Sequence, residues 1–329
     1  MPPVRRPARG RHVVTQDGDR LDTSPDAHRG PDTVIRAGAG AKTRQDPKRK
    51  ALDVRVMDGS WPATFWMPAP ARLPTGIRVY AIPDIHGRAD LLQAMLDAID
   101  QDMRADGQRH QGAVAVFLGD YIDRGPRSRR VLDILTNNLP DALQCVFLLG
   151  NHEHFLLSFL EGPSDPAGWL FNGGLETLTS YGIDAPSSGF LSVSCQDELR
   201  KALLNALPER HLVFLRNLRP SFRLGGYFFA HAGVRPRVPL ESQALDDLLW
   251  IRGPFLTSTE DFGAVVVHGH TILPRPLVLA NRIALDTGAH DSGILTCGVL
   301  EGGGLRFLQT SPSPATVGGG PRPTPYPFS

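Results

Sequence analysis

Three short segments combine carboxylate, amide and imidazole side chains directly after apolar runs of the chain. They are Pro83-Asp84-Ile85-His86-Gly87, Gly119-Asp120-Tyr121-Ile122-Asp123-Arg124-Gly125 and Gly150-Asn151-His152-Glu153. Two later segments, His231-Ala232-Gly233 and His268-Gly269-His270-Thr271, follow apolar runs in the same way. A glycine-acid pair after a strand is most often only a turn. The repetition of the pattern is what indicates a shared site.

The residue types in these segments are those that bind divalent cations. The candidate ligands are Asp84, His86, Asp120, Asn151, His231 and His270. A mixture of carboxylate, imidazole and amide donors suits manganese, iron, zinc or cobalt. A central carboxylate, here Asp120, can bridge two metals about 3.5–4 Å apart and so promote in-line displacement at phosphorus. A structural role is the simpler explanation for any one histidine, but six such residues after strands favour a metal centre.

An alternation of strands and helices must position these residues. Apolar runs predict strands at Ile77–Ile82, Ala113–Leu118 and Cys145–Leu149, with helical spacing around residues 91–99 and 131–135 between them. Parallel strands with right-handed crossovers bring the loops that follow them to one edge of a sheet. We therefore expect the first three segments to meet there.

In the second half of the chain the sequence pattern changes, and it predicts mainly short strands. The predicted strands are Phe222–Leu224, Tyr227–Ala230, Ala264–Val267, Leu277–Leu279, Ile283–Leu285, Ile294–Val299 and Leu305–Leu308. The predicted helices are Phe155–Leu160, Asp197–Leu207 and Leu245–Trp250, and Gly225-Gly226 predicts a hairpin turn. We expect one domain of the α/β (α+β) class over residues 75–310, with a mixed sheet and flanking helices.

The two ends of the chain have the composition of tails. Residues 1–74 are rich in arginine, proline, glycine and aspartate without periodicity, and residues 311–329 are rich in proline and glycine. We expect both to be disordered. The basic cluster Lys48-Arg49-Lys50 could contact nucleic acid or a membrane surface, although a solvated tail is favoured. Trp61, Phe65 and Trp66 either dock on the folded domain or reflect an upstream start codon.

Composition disfavours several classes of protein. The net charge of +1 argues against a nucleic-acid partner. The three cysteines are far apart, so disulfides and a zinc ribbon are not expected and a reducing, cytoplasmic location fits. No apolar run approaches the roughly 20 residues that span a bilayer. We therefore expect no membrane span.

The five segments resemble, in order, the metal-binding motifs of the phosphoprotein phosphatase family within the calcineurin-like metallophosphoesterase superfamily. The most specific are the Gly119–Gly125 and Gly150–Glu153 motifs, and Gly269-His270-Thr271 is similar to bacterial and phage members. The resemblance covers roughly residues 78–307. It implies a central mixed β-sandwich flanked by helices.

The resemblance implies a metal-dependent protein serine/threonine phosphatase. Its substrates would be phosphorylated proteins or other phosphate esters, attacked directly by hydroxide held between two metals, with manganese as the expected metal. By this resemblance the first metal is held by Asp84 and His86, Asp120 bridges, and the second metal is held by Asn151, His231 and His270.

The same resemblance assigns roles to four further residues. Arg124 and Arg252 would bind phosphate oxygens, which a planar guanidinium does in bidentate fashion. His152 would protonate the leaving alkoxide, while Asp123 orients its ring and keeps it charged.

Other functions are also compatible with these motifs. The alternatives are hydrolysis of dinucleoside polyphosphates such as diadenosine tetraphosphate, phosphotyrosine hydrolysis, and a catalytically silent phospho-ligand module.

The chain also departs from the family's motifs at two places. Pro83 stands where the family usually has glycine, so the geometry at the first metal is expected to shift slightly. His290-Asp291 is also unusual, and we expect an exposed loop there rather than part of the active-site rim. His154 and His268 are expected to be structural.

Overall fold

The computed structural model describes residues 65–105, 112–140, 142–162, 167–184 and 193–310. The expected tails up to residue 64 and from residue 311, the Lys48–Lys50 cluster and Trp61 lie outside the described residues. No helix in the described ranges is both long enough and apolar enough to cross a membrane.

The described strands form two sheets. In chain order they are β1 (Met67–Pro68), β2 (Ile77–Ile82), β3 (Gly112–Phe117), β4 (Leu143–Phe147), β5 (Ser221–Leu224), β6 (Tyr227–Ala230), β7 (Val265–His268), β8 (Leu277–Val278), β9 (Arg282–Ala284), β10 (Leu295–Glu301) and β11 (Gly304–Thr310). The first sheet has the order β1-β11-β10-β2-β3-β4 and the second β5-β6-β7-β9-β8. Strands β2, β3 and β4 are parallel, as predicted. Strands β5 and β6 form the predicted hairpin around Gly225-Gly226.

Along the chain, most of the helices connect one strand to the next. They are α1 (Ala89–Ala105), α2 (Ser128–Asn137), α3 (Asn151–Glu161), α4 (Ala167–Trp169), α5 (Leu175–Ser180), α6 (Val193–Ala206), α7 (Glu209–Arg216), α8 (Leu245–Trp250), α9 (Gly253–Leu256) and α10 (Ala289–Ser292). A π-helical turn, Leu170–Gly174, joins α4 to α5, and a 3-10 turn covers Leu240–Ser242.

Strand β3 shows why the two sheets pack as a sandwich. Its side chains alternate, so Ala115 and Phe117 face the helices while Val114 and Val116 face the second sheet. Both faces of this strand are buried, which explains its continuous apolar run. The expected mixed β-sandwich flanked by helices is confirmed.

The helices cover the outer faces of both sheets. Helix α1 buries Leu92, Met95 and Ile99 against the first sheet, at the helical spacing read from the sequence. On the far side, Leu248 of α8 and Phe255 of α9 pack in a cluster with strands of the second sheet.

The segment after β4 differs from its prediction. The strand ends at Phe147, and Asn151 begins helix α3 instead of lying in a loop. Leu148 and Leu149 connect the two while pairing with Arg219, whose carbonyl accepts the Leu149 N–H at 2.7 Å. The candidate ligand Asn151 is therefore fixed in the first turn of a helix.

Residues 65–74, which composition assigns to the N-terminal tail, are folded. Strand β1 pairs with β11, and Leu73 is buried between the sheets. The Trp66 ring lies 4.7 Å from the Arg306 guanidinium and 5.7 Å from that of Arg78. Prolines interrupt the periodicity of this segment, which is why it reads as a tail. The folded domain therefore begins at least ten residues before position 75.

We expect Trp66→Ala to lower the free energy of unfolding by about 1–2 kcal/mol, because the ring covers two buried guanidinium groups. Urea denaturation would measure this. The neighbouring variant Phe65→Ala removes a side chain that is 45% exposed and should change stability by less than about 0.5 kcal/mol. Equal effects of the two substitutions would contradict the docking of Trp66.

Candidate metal centre

Two overlapping groups of side chains could each hold a metal ion in the described part of the chain. The first group is His86, Asp120 and His152, and the second is Asp120, His231 and His270. Oδ2 of Asp120 lies 3.5 Å from Nε2 of His86, 3.5 Å from Nε2 of His231 and 3.8 Å from Nε2 of His152. Asp120 thus occupies the central position that its sequence motif suggested.

Asn151 and Asp84 complete the surroundings of these groups. Oδ1 of Asn151 lies 2.8 Å from Nε2 of His231, and Nδ1 of His270 lies 3.2 Å from the same nitrogen. These donor atoms converge on one position. Asp84 is outside both groups, and its carboxylate oxygens accept the backbone N–H of His270 at 3.0 and 3.1 Å. Burial raises the pKa of Asp84 to about 6.

Hydrogen bonds to the protein backbone set the tautomers of two histidines. Nδ1 of His86 donates to the Ile122 carbonyl and Nδ1 of His231 donates to the Leu118 carbonyl, both at 2.9 Å. Burial lowers the pKa of both rings, so they are neutral. Their Nε2 atoms therefore keep the lone pair that a metal requires. The donor set fits borderline divalent cations.

His152 and Asp123 form a buried pair next to Asp120. Nδ1 of His152 donates to Oδ2 of Asp123 at 2.7 Å. The same carboxylate accepts hydrogen bonds from Trp169 Nε1 at 2.9 Å and from the Thr177 hydroxyl at 2.6 Å. Burial raises the pKa of Asp123 to about 8 and lowers that of His152 to about 4. In this arrangement Asp123 orients the His152 ring through Nδ1.

Both candidate phosphate-binding arginines lie at this site. The Arg124 guanidinium donates to Nε2 of His86 and Nε2 of His152, each at 3.1 Å. Arg252 is exposed at the start of α9. Burial lowers the pKa of His231 and His270, and the positive charge of Arg252 lowers both further. Arg252 therefore acts electrostatically on two members of the second group.

A comparison with known protein families identifies the family to which this chain belongs. The family model for calcineurin-like phosphoesterases matches residues 77–292. The chain belongs to this family. This calcineurin-like phosphoesterase is therefore an enzyme of the hydrolase class. The motif resemblance seen in the sequence is confirmed.

Similar proteins of this family carry two kinds of name. Serine/threonine-protein phosphatase 1 of Salmonella typhimurium is 29% identical over 66% of this chain and 89% of its own length. The symmetrical bis(5'-nucleosyl)-tetraphosphatase of Dechloromonas aromatica is 30% identical over 48% of this chain, and the chain spans only 44% of that relative. A crystal structure of a putative diadenosine tetraphosphatase shares the fold, with a TM-score of 0.50, 20% identity and coverage of 73% of this chain and 98% of its own.

Glu153 supports the central loop of this calcineurin-like phosphoesterase. Its Oε2 accepts the backbone N–H groups of Asp120 at 2.9 Å and Gly150 at 3.2 Å, and its Oε1 accepts those of Tyr121 at 2.8 Å and Ile122 at 3.2 Å. Burial raises the pKa of Glu153. Four N–H donors nevertheless leave no acceptor for a carboxyl proton, so the ionised form fits the site.

Five candidate site residues have positive φ angles. Among the described residues other than glycine, positive φ occurs at His86, Asp120, Asp123, Arg124, Arg237 and His270. Such backbone is strained and concentrates at functional sites. This concentration is independent of the motifs and indicates the same site.

Sequence reasoning missed several neighbours of this calcineurin-like centre. Trp169 and Thr177 contact Asp123 from 46 and 54 residues away, and no spacing pattern indicates them. His290 is not in an exposed loop: its ring packs 4.9 Å from that of His86. His154 and His268 lie outside both metal-binding groups. His268 is buried, where its Nδ1 bonds the Gly269 carbonyl, in keeping with a structural role.

We expect Glu153→Gln to destabilise the protein by about 2–4 kcal/mol, because the amide would turn an NH2 group towards backbone N–H donors. Its metal content should fall as the Asp120 loop loosens. Urea denaturation and elemental analysis would measure both. Glu161→Gln, at the exposed end of the same helix, is the matched control and should resemble the wild type. Wild-type stability in Glu153→Gln would contradict the role of this carboxylate.

Proposed function

We propose that this enzyme is a metal-dependent phosphomonoesterase that removes phosphate from phosphoserine and phosphothreonine in proteins. The observation that carries the proposal is the position of Asp120 in both metal-binding groups, with Arg124 and His152 beside it. The similarity to the Salmonella serine/threonine-protein phosphatase, over nearly the whole of that relative, supports the choice of substrate. We also propose a cytoplasmic location, in keeping with three cysteines that are far apart along the chain.

The proposed ligands overlap the two groups, with Asp84 in place of His152 in the first and Asn151 added to the second. We propose that Asp84, His86 and Asp120 hold one divalent cation, and that Asp120, Asn151, His231 and His270 hold a second, with manganese as the preferred metal. A bound pair of this kind activates water and stabilises the charge that develops in an in-line displacement at phosphorus.

The remaining side chains would bind the phosphoryl group and move a proton. Arg124 and Arg252 would bind the non-bridging oxygens. Nε2 of His152 would give its proton to the leaving oxygen, with Asp123 holding the ring in place through Nδ1. The negative phosphoryl group would raise the low pKa of His152, because nearby negative charge stabilises the imidazolium.

A second candidate function is hydrolysis of dinucleoside polyphosphates. It is favoured by the relatives named bis(5'-nucleosyl)-tetraphosphatase, one of which is 30% identical to this chain over 158 residues. Such a reaction would use the same metals and the same proton donor on a different leaving group.

A panel of substrates separates these functions. We expect the manganese-loaded protein to hydrolyse phosphoserine and phosphothreonine peptides with a higher kcat/KM than diadenosine tetraphosphate. A phosphotyrosine peptide and an aryl phosphate complete the panel, with metal-free protein as the control. A higher kcat/KM for the dinucleotide would establish the second function instead. Absence of metal-dependent turnover of every substrate would favour a silent phospho-ligand module.

Two substitutions should separate metal binding from proton transfer. We expect His152→Asn to keep near-normal metal content while kcat falls about 10²–10⁴-fold, the usual contribution of a general acid. Asp120→Asn should lose paired metal binding and turnover together, because the central ligand loses its charge. Elemental analysis and steady-state kinetics on both variants would test this. Loss of both metals in His152→Asn would contradict the assignment of His152.

A further inference from the structure

Helix α10 holds His290 firmly, although it is only one turn long. Gly288 and Gly293, which flank it, have φ angles of 70° and 71°. The Arg88 guanidinium donates to the Ala289 carbonyl at 2.9 Å, and the Ser292 hydroxyl donates to the Thr287 carbonyl at 2.7 Å. A contact from Arg88 and a hydrogen bond between Ser292 and Thr287 thus fix the position of this turn.

The His290 ring lies among the residues proposed to act on phosphate. It packs edge-to-face on His86, with 4.9 Å between ring centroids and 81° between ring planes. Arg124 and His152 are close enough to act on it electrostatically. His290 therefore belongs to the wall of the site on the side of the phosphate-binding arginine.

One atom of this ring is unsatisfied. Nδ1 of His290 is buried and has no hydrogen-bond partner among the described residues. A buried polar atom left unpaired costs about 1–3 kcal/mol, so packing against His86 alone would favour an apolar ring. His290 belongs to neither metal-binding group of the described residues.

We propose that His290 is a further substrate-binding residue, which donates Nδ1–H to a non-bridging oxygen of the phosphoryl group beside Arg124. The inference rests on the proposed phosphomonoesterase function. A phosphate ester or inorganic phosphate is the ligand whose oxygens would satisfy this nitrogen, and no atom of His290 is consumed or oxidised in the reaction.

Three substitutions test this role. His290→Phe keeps a ring against His86 without a donor, His290→Asn keeps a donor near the position of Nδ1, and His290→Ala removes both. We expect inorganic phosphate to bind the metal-loaded Phe and Ala variants about tenfold more weakly than the wild type, equivalent to about 1.4 kcal/mol. The Asn variant should stay within about threefold. Calorimetry would measure binding, and the KM for an aryl phosphate should rise in parallel.

The controls separate this inference from the proposed function. Metal content, measured by elemental analysis, should be unchanged in all three variants, and loss of a metal from His290→Ala would overturn the inference in favour of a ligand role. Wild-type phosphate affinity in His290→Phe would overturn it in favour of packing. Phosphate binding requires no turnover, so weaker binding by His290→Phe with rescue by His290→Asn supports the inference even if none of the substrates is hydrolysed.

Discussion

The geometry of the centre depends on one buried carboxylate that ties two strand ends together. Glu153, on α3 after β4, accepts three consecutive backbone N–H groups of the loop that follows β3. In return, Asp120 from that loop accepts the backbone N–H of His152 through Oδ1 at 3.1 Å. No side chain fits at Gly150, where a Cβ would lie 2.2 Å from Oδ1 of Asp120. The central ligand is therefore held by backbone contacts of its neighbours, and a metal would meet it in a fixed position.

This preorganisation is balanced against backbone strain. Asp120, Asp123 and Arg124 all have positive φ within one short loop, and each such residue costs on the order of 1 kcal/mol or more. Hydrogen bonds offset this strain: the Asp120 carbonyl accepts the N–H groups of both Ile85 and His86 at 2.9 Å. These bonds also join the first loop to the second. The strained backbone lies in the loop whose side chains meet at the candidate metal centre, and the packing of the two sheets holds that loop in place.

The sequence predicted those parts of the structure that depend on short apolar runs and on the order of strands and helices. The buried strands, the parallel order of β2, β3 and β4 and the meeting of their loops follow from apolar runs and the handedness of crossovers. Contacts between distant segments could not be found in this way. Trp169 contacts Asp123 from the end of α4, just before a π-helical turn with irregular backbone at Gly173. His290 contacts His86 from a turn bounded by left-handed glycines. Neither contact leaves a periodic trace in the sequence.

The buried centre and its exposed rim determine different properties of the enzyme. The candidate ligands, His152 and Glu153 are buried together in one site, and the chemistry of such a site decides the reaction class. Exposed aromatic side chains lie outside it. Phe171 is 83% exposed on the turn whose Gly173 carbonyl holds the Arg124 backbone, and Trp250, 38% exposed, has its ring 6.2 Å from that of His270. Relatives named for protein and for dinucleotide substrates share a family with this chain. Exposed side chains like these can change without disturbing the buried groups around Asp120.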